Sequence, residues 1–473
     1  MTVGQRASAA TADVHAPPPA KQRLLWAAIL ASFVSFLDGS IVTIALPAIA
    51  DELGGGIVLQ QWVVSGYLLT LSALILVAGA VSDAVGRLRV LRIALVAFAV
   101  TTLACAAAPT GVLLVVARVL QGVAGALLVP GSLALIIAVF KGEEQGAAIG
   151  RWTAWTRVSG LVGPLLGGLL VDVVGWRWVF VLSVLPAVGS WLLLGRMRDG
   201  AHEGERQRID VLSAVLAALG LGGLVTGLIE LGAAEPTMPR ALAVALLVGG
   251  VVLLAAFVLQ DRRAAYPLVP PALFRERNFT AGNLATLLIY AALGLASLVP
   301  VLFLQEVVRL PAWLVAVVGM PATLLLILFA GTFGRLSGRH GPRLFMTVGP
   351  LLAGAGALLM AFVPTPETAL WFVVPGMVLV GAGLAVTVAP LTAAVLGAVP
   401  EEASGIGSAV NNAVARVAGL LAAACAGWVV GGALDLPGFA RASVVTAMLL
   451  VAGGMISFAG IRNRVPQQKG EPA

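Results

Sequence analysis

Charge is what this sequence has least of. Only 11% of its 473 residues are Asp, Glu, Lys or Arg, against 60% hydrophobic ones, and the mean hydropathy is +1.02. A soluble core needs far less apolar surface, so a water-soluble enzyme or binding module is excluded and a polytopic membrane protein is implied. Cysteine is nearly absent. Cys105 and Cys425 both sit in apolar runs and read as small core residues, not a disulfide or metal pair. The three histidines, His15, His202 and His340, fall in tails or loops without ligand spacing, so no metal site is expected. No nucleophile–base pair and no phosphate-binding loop occurs, which argues against an enzyme and against direct ATP coupling by this chain. The net charge is +7, but the basic residues are scattered through short loops rather than gathered on one face, so nucleic acid is not an expected partner.

What is present is a series of fourteen apolar runs between residues 24 and 461, each long enough to cross a bilayer. An even number puts both termini on one side. With the N-terminus inside, 22 of the 29 basic residues fall in inner segments and 4 in outer ones. That asymmetry predicts cytoplasmic termini in a cell (inner, cytoplasmic) membrane. Residues 1–20 are Ala- and Pro-rich without an apolar stretch, and read as a disordered cytoplasmic tail rather than a signal peptide.

The chain also repeats itself. GAVSDAVGRLR at 79–89 and GRLSGRHGPRL at 334–344 share a G-x-(V/L)-S-x-x-x-G frame. KGEEQGAAIG at 141–150 resembles VPEEASGIG at 399–407 at nearly the same offset. Two related six-span bundles are therefore expected, with two spans left over between them. The expected divisions are a tail over 1–23, a bundle over 24–196, two linker spans over 197–265, a second bundle over 266–461 and a tail over 462–473.

The span over 24–46 carries Asp38, and an acid at membrane depth is by default a functional feature. At a helical rise of ~1.5 Å per residue, Asp38 and Arg118 of the fourth span both lie roughly 10 Å below the outer edge of the hydrocarbon, so a pair is geometrically possible. A carboxylate poised between costly burial and an attractive guanidinium suits proton uptake and release, with a static structural ion pair as the alternative. Arg157, Asn411, Asn412 and Arg416 are further polar groups in spans, readable as cavity lining or as inter-bundle hydrogen bonds. Asn283, Tyr290 and Gln305 are of the same kind. Glu230 and Glu306, at outer span ends, read first as solvated, and Trp62, Trp176, Trp178, Trp313 and Trp371 as interfacial anchors.

Several stretches, taken together, resemble the major facilitator superfamily and, within it, the fourteen-span drug:proton antiporters. They are LDGSIVTIALPAI in the first span, the loop GAVSDAVGRLRVL, and ARVLQGVAGALLVPGSLALI with Arg118, Gln121, Gly122 and Gly125. VGPLLGGLL followed by GWRWVF belongs with them, as do YPLVPPALFRERNF, VLFLQEV and SAVNNAVARVAG in the second half. Thr43, Ala84, Ser213 and Gly338 depart from the usual pattern. The resemblance implies an all-α major facilitator fold of two six-helix bundles plus two extra helices, fourteen transmembrane helices in all. It also implies multidrug efflux and antibiotic resistance by proton antiport with no cofactor, in a monomer.

Residue by residue, the resemblance carries proton coupling onto Asp38 with Arg118. It carries an inner-gate latch onto Asp83 with Gly79, Gly86 and Arg87, and antiport and sealing onto Gly163, Pro164, Gly167 and Gly168. Thr43, Gln121 and Glu306 join the candidates for the substrate cavity. One expectation comes from charge alone. Asp38 stands against Arg118, Arg157 and Arg416, and the tenth span has no acid, so neutral, zwitterionic or anionic amphiphiles are favoured over dications. The rival readings are a dedicated exporter of one solute (a self-made antibiotic, an amino acid or a lipid) and a non-transporting sensor or scaffold on the same fold.

Overall fold

The computed structural model describes residues 18–195, 197, 211–264, 267–400 and 404–463. Fourteen helices in this part are long and apolar enough to cross a membrane. They are α1 (Pro18–Leu53), α2 (Gly56–Val85), α3 (Arg87–Ala106), α4 (Gly111–Val139), α5 (Gly142–Val173), α6 (Arg177–Leu194) and α7 (Val211–Gly232). The second half has α8 (Arg240–Arg263), α9 (Arg277–Glu306), α10 (Ala312–His340), α11 (Pro342–Met360), α12 (Ala369–Leu396), α13 (Ser404–Val430) and α14 (Leu436–Gly460). In lipid the backbone can satisfy its own polar groups only within helices or closed barrels, and this composition takes the first course.

α1 is longer than the apolar run suggests. Residues 18–23, expected in a tail, already belong to it, and it continues past Pro47 to Leu53. Proline inside a helix removes one hydrogen bond, but the fully buried Ile49 beyond it keeps the last turns packed. The rest of the expected N-terminal tail, and all but its first two residues at the C-terminus, lie outside the described residues.

Helices α1 to α6 pack on one another, as do α9 to α14, while α7 and α8 pair as a hairpin whose α7 rests against α2 and α13. The repeat seen in the sequence has a structural counterpart. Gly86 joins α2 to α3 with φ 110°, and Gly341 joins α10 to α11 with φ 84°. Each donates its amide back four residues, to the carbonyls of the buried Ser82 and Ser337. Glycine recurs at this place in the frame because an L side chain resists that backbone conformation.

The ends of the molecule differ. The first and last described helices, α1 and α14, begin and end respectively at one end, here the terminal end. Every cross-bundle hydrogen bond among the described residues lies in the opposite, far half. Gln60 on α2 donates to the Glu306 carboxylate at the close of α9, and Gln61 donates to the carbonyls of Ala423 and Ala424 on α13, both at 2.9 Å. Gln305 donates to the Ile44 carbonyl at 3.1 Å. Asp172, at the end of α5, accepts from the backbone amides of Ala312 and Trp313 at 3.2 and 2.8 Å, capping α10 with charge at its positive pole. The bundles are thus tied by hydrogen bonds at the far end.

Gly168 makes the α5–α10 contact possible. A Cβ there would come within 2.7 Å of the Ala312 carbonyl oxygen and the Trp313 Cα. Gly168→Leu is therefore expected to keep the far end from closing. Spin labels at Val174 and Trp313 should then report a longer mean distance than in the otherwise unchanged chain.

Candidate functional site

Asp38 lies on α1, fully buried, and Arg118 on α4 is 1% exposed. The guanidinium Nη1 donates to Asp38 Oδ2 at 2.5 Å and to Gln121 Oε1 at 2.6 Å, and Nε donates to the Val63 carbonyl of α2 at 2.9 Å. Gln121 completes the ring, its amide donating to Asp38 Oδ1 at 2.9 Å and to Thr102 Oγ1 of α3 at 2.8 Å. The Tyr67 ring lies 4.5 Å from the Arg118 Cζ, and the Tyr67 hydroxyl meets the Ser35 hydroxyl at 2.8 Å. Four helices are joined through one carboxylate and one guanidinium of opposite charge, so the cluster is neutral as a whole.

Glycine brings α4 this close to α2. At Gly122 a Cβ would fall 2.2 Å from Thr70 Oγ1 and 2.3 Å from the Tyr67 carbonyl oxygen. Any side chain there would push α4 away and take Arg118 out of reach of Val63. Asp38 is buried, yet its neighbour Gly39 is exposed, with no atom within 4 Å of where a Cβ would lie, so open space begins one residue from the acid.

Gln121 is therefore no cavity residue. It is fully buried and spends its whole amide on the ion pair and its surroundings. Asn283 and Asn411 are likewise displaced from the expected cavity. Asn283 is buried, and Asn411 donates to its side-chain oxygen at 3.2 Å and to Thr286 Oγ1 at 2.9 Å, tying α13 to α9 inside the second half. Gln305 and Glu306 belong to the far-end closure instead. Glu306 is half-buried rather than solvated, because Gln60 reaches it across the bundles.

Glu230 differs most from expectation. It is 3% exposed, and its carboxylate accepts from the Thr237 amide and hydroxyl, both at 2.8 Å, closing the α7–α8 turn. Glu230→Ala leaves that amide without its charged acceptor and is expected to cost about 1–3 kcal/mol. A lower unfolding midpoint for the purified protein, with Glu230→Gln in between, is the measurement. Trp176 is buried and donates to Glu52 at 2.7 Å, beside an Arg177–Glu52 ion pair at 2.5 Å, so it braces α1 against α6 rather than sitting at a lipid interface.

The glycines of α5 divide their work. At Gly163 a Cβ would stand 2.3 Å from Ser40 Oγ, and at Gly167 2.6 Å from Ile41 Cγ1, so both press α5 onto α1 within the same bundle. Gly168 faces the other bundle. Pro164 lies inside α5 without ending it. Gly79 and Asp83 belong to α2, but their surroundings lie outside the described residues. Gly86 is the turn glycine, and Arg87 donates to the Ala134 carbonyl of α4 at 3.2 Å.

Thr43 is half-buried and bonds its own helix, donating to the Gly39 carbonyl at 3.1 Å. Arg416 of α13 sits with its Cζ 5.3 Å from the ring of Phe36 on α1. Tyr290 of α9 is within electrostatic reach of both Arg157 and Arg416, and Asn412 is exposed one helical turn from Arg416. These residues, with the open space beside Gly39, are the candidates for a substrate path between the bundles. Tyr67, Ser35, Val63, Thr102, Gln60, Gln61 and Asp172 are missed by sequence reasoning. Ser35 lies three residues from Asp38, and Thr102 and the two glutamines stand out as amide or hydroxyl groups inside apolar runs, which is the signal that could have found them. Among the described residues there is no group of His, Cys, Asp or Glu suited to a metal ion.

The family model described as Major Facilitator Superfamily matches residues 28–423. The chain is 33% identical to the puromycin resistance protein pur8 of Streptomyces alboniger, over 88% of this chain and 82% of that protein. It is 32% identical to the tetracenomycin C resistance and export protein of Streptomyces glaucescens, over 87% and 77%. It is 31% identical to the multidrug resistance protein Stp of Mycobacterium tuberculosis (strain CDC 1551 / Oshkosh), over 81% and 71%. Among solved structures, a peptide transporter POT in complex with sulfate superposes with a TM-score of 0.70 at 15% identity, covering 94% of this chain and 95% of that one. A bacterial homologue of the lysosomal transporter Spinster superposes at 0.68 and 16%, covering 94% and 97%. With fourteen membrane helices, relatives named for drug and antibiotic resistance, and a match over most of its length, the chain belongs to the major facilitator superfamily and is a multi-pass membrane transporter of small molecules, not an enzyme.

Proposed function

We propose that this protein is a proton-coupled exporter of amphipathic small molecules, working by alternating access in the cytoplasmic membrane. The observation that carries the reading is the Asp38–Arg118 pair, buried among four helices yet one residue from open space. A charge pair so fully buried is costly to keep for packing alone, since apolar side chains of similar volume fill such a site as well or better. A carboxylate that trades its guanidinium for a proton gives the pair a purpose.

The excess of basic residues at the terminal end supports cytoplasmic termini, which makes the described conformation inward-facing. In that state Asp38 is held in its ion pair, the form expected after proton release to the cytoplasm. Opening the far end requires breaking the bonds of Gln60, Gln61, Gln305 and Asp172. Proton uptake by Asp38 from outside would loosen α1 from α4 and let the bundles rock back, acting as a monomer with no cofactor. At the inner end Asp83, beside Gly86 and Arg87, is the proposed latch of the opposite state.

The test is efflux in a pump-deficient host over chemically varied compounds, with and without a proton gradient. Compound-dependent efflux that collapses with the gradient is expected, and efflux indifferent to the gradient contradicts the mechanism. A second reading, an exporter dedicated to one solute, is favoured by relatives named for single antibiotics, puromycin and tetracenomycin C. Breadth of protection separates the two.

A further inference from the structure

We propose that Arg157 and Arg416, carried by opposite bundles, form the anion-binding half of the substrate site, and that the transported class is aromatic organic monoanions. Arg118 spends its charge on Asp38. Arg157 and Arg416 have no such partner: among the described residues neither forms an ion pair with an acid. Both are half-buried at mid-membrane positions, where an unpaired cation is costly unless it faces a wet cavity or meets a counter-charge. Among the described residues the acid at that depth, Asp38, is already neutralised.

The surroundings fit an anion carried on a ring. The Phe36 ring lies 5.3 Å from the Arg416 guanidinium, and Tyr290 stands within electrostatic reach of both arginines. Asn412, exposed one turn from Arg416, adds an amide donor on the same face. Gly39 on α1 and Gly419 on α13 have nothing within 4 Å of where a Cβ would lie, so there is open space beside each helix.

Position then adds a mechanical consequence. Arg157 belongs to α5 and Arg416 to α13, so an anion seated between them bridges the two halves of the molecule. It is held best while both arginines converge on it, and rocking that spreads them weakens the grip. Selectivity would come from charge complementarity and rejection of cations rather than from shape.

The inference rests on the exporter reading for the route by which substrate arrives, but its test needs neither transport nor a proton gradient. Binding of naphthalene-2-sulfonate, naphthalene-2-sulfonamide and 2-naphthylmethylammonium to the purified full-length protein is measured by calorimetry at neutral pH. These share a ring system and differ in charge. The sulfonate is expected to bind about tenfold or more tighter than the neutral sulfonamide, and the ammonium weakest. Arg157→Gln and Arg416→Gln should each remove most of the preference for the sulfonate while leaving sulfonamide binding within about twofold, and Arg416→Lys should retain part of it. The unmutated protein alone decides the class should a variant fail to fold. Equal binding of sulfonate and sulfonamide, or a sulfonate preference that survives both Gln variants, overturns the proposal. Efflux without proton coupling would sink the antiport mechanism and leave this site standing.

Discussion

Arg118→Ala is expected to destabilise the protein by about 3–5 kcal/mol, the largest stability loss foreseen for a single substitution here. The guanidinium makes three hydrogen bonds in a site 1% exposed, and without it the Asp38 carboxylate keeps its charge with only the Gln121 amide for company. Thermal unfolding of the purified variant measures the loss. Combining Arg118→Gln with Asp38→Asn, which leaves no charge in the cluster, should recover much of the loss. A deficit that survives the double substitution would mean that the packing of the Arg118 stem, not its charge, holds the cluster.

The second large effect is functional. Asp38→Asn keeps the shape and an acceptor oxygen for Arg118 but cannot exchange a proton. Gradient-driven efflux is expected to fall to the background of the pump-deficient host, while exchange of labelled for unlabelled substrate across the bilayer persists at a measurable rate. Exchange needs the substrate-loaded protein to switch states, and concentrative export needs the proton as well. If both fall together with the variant correctly folded, Asp38 serves the conformational change itself rather than the coupling.

How much of this is legible in the sequence depends on which contact is asked for. The fourteen helices follow from apolar runs and their loops, because lipid leaves the backbone no alternative to internal hydrogen bonds. The Asp38–Arg118 pair is reachable by counting residues along two helices, since helical rise is nearly constant. Its other partners are not, because which face of α4 turns to α2 is decided by how closely Gly122 lets them approach. Gln121 is misplaced for that reason, and Asn283 and Asn411 for a similar one. A polar side chain in a span signals an interior, but not whether that interior is a cleft or the middle of a bundle. Glu230 and Glu306 show the same limit at span ends, where position along the helix says nothing of a partner arriving from Thr237 or Gln60. The turn glycines Gly86 and Gly341 are the opposite case, where a local conformation forces the residue and the repeat announces it.

The central claim, that export is coupled to a proton taken by Asp38, is tested most directly in proteoliposomes with a pH dye trapped inside. Naphthalene-2-sulfonate and its sulfonamide are applied in turn as the driving gradient, with no initial pH difference. Whichever of the two is transported should drive protons the opposite way, seen as a change in lumenal pH that appears only with protein and is absent in Asp38→Asn. Movement of either compound without any accompanying proton flux in the unmutated protein, or an undiminished flux in Asp38→Asn, would contradict it.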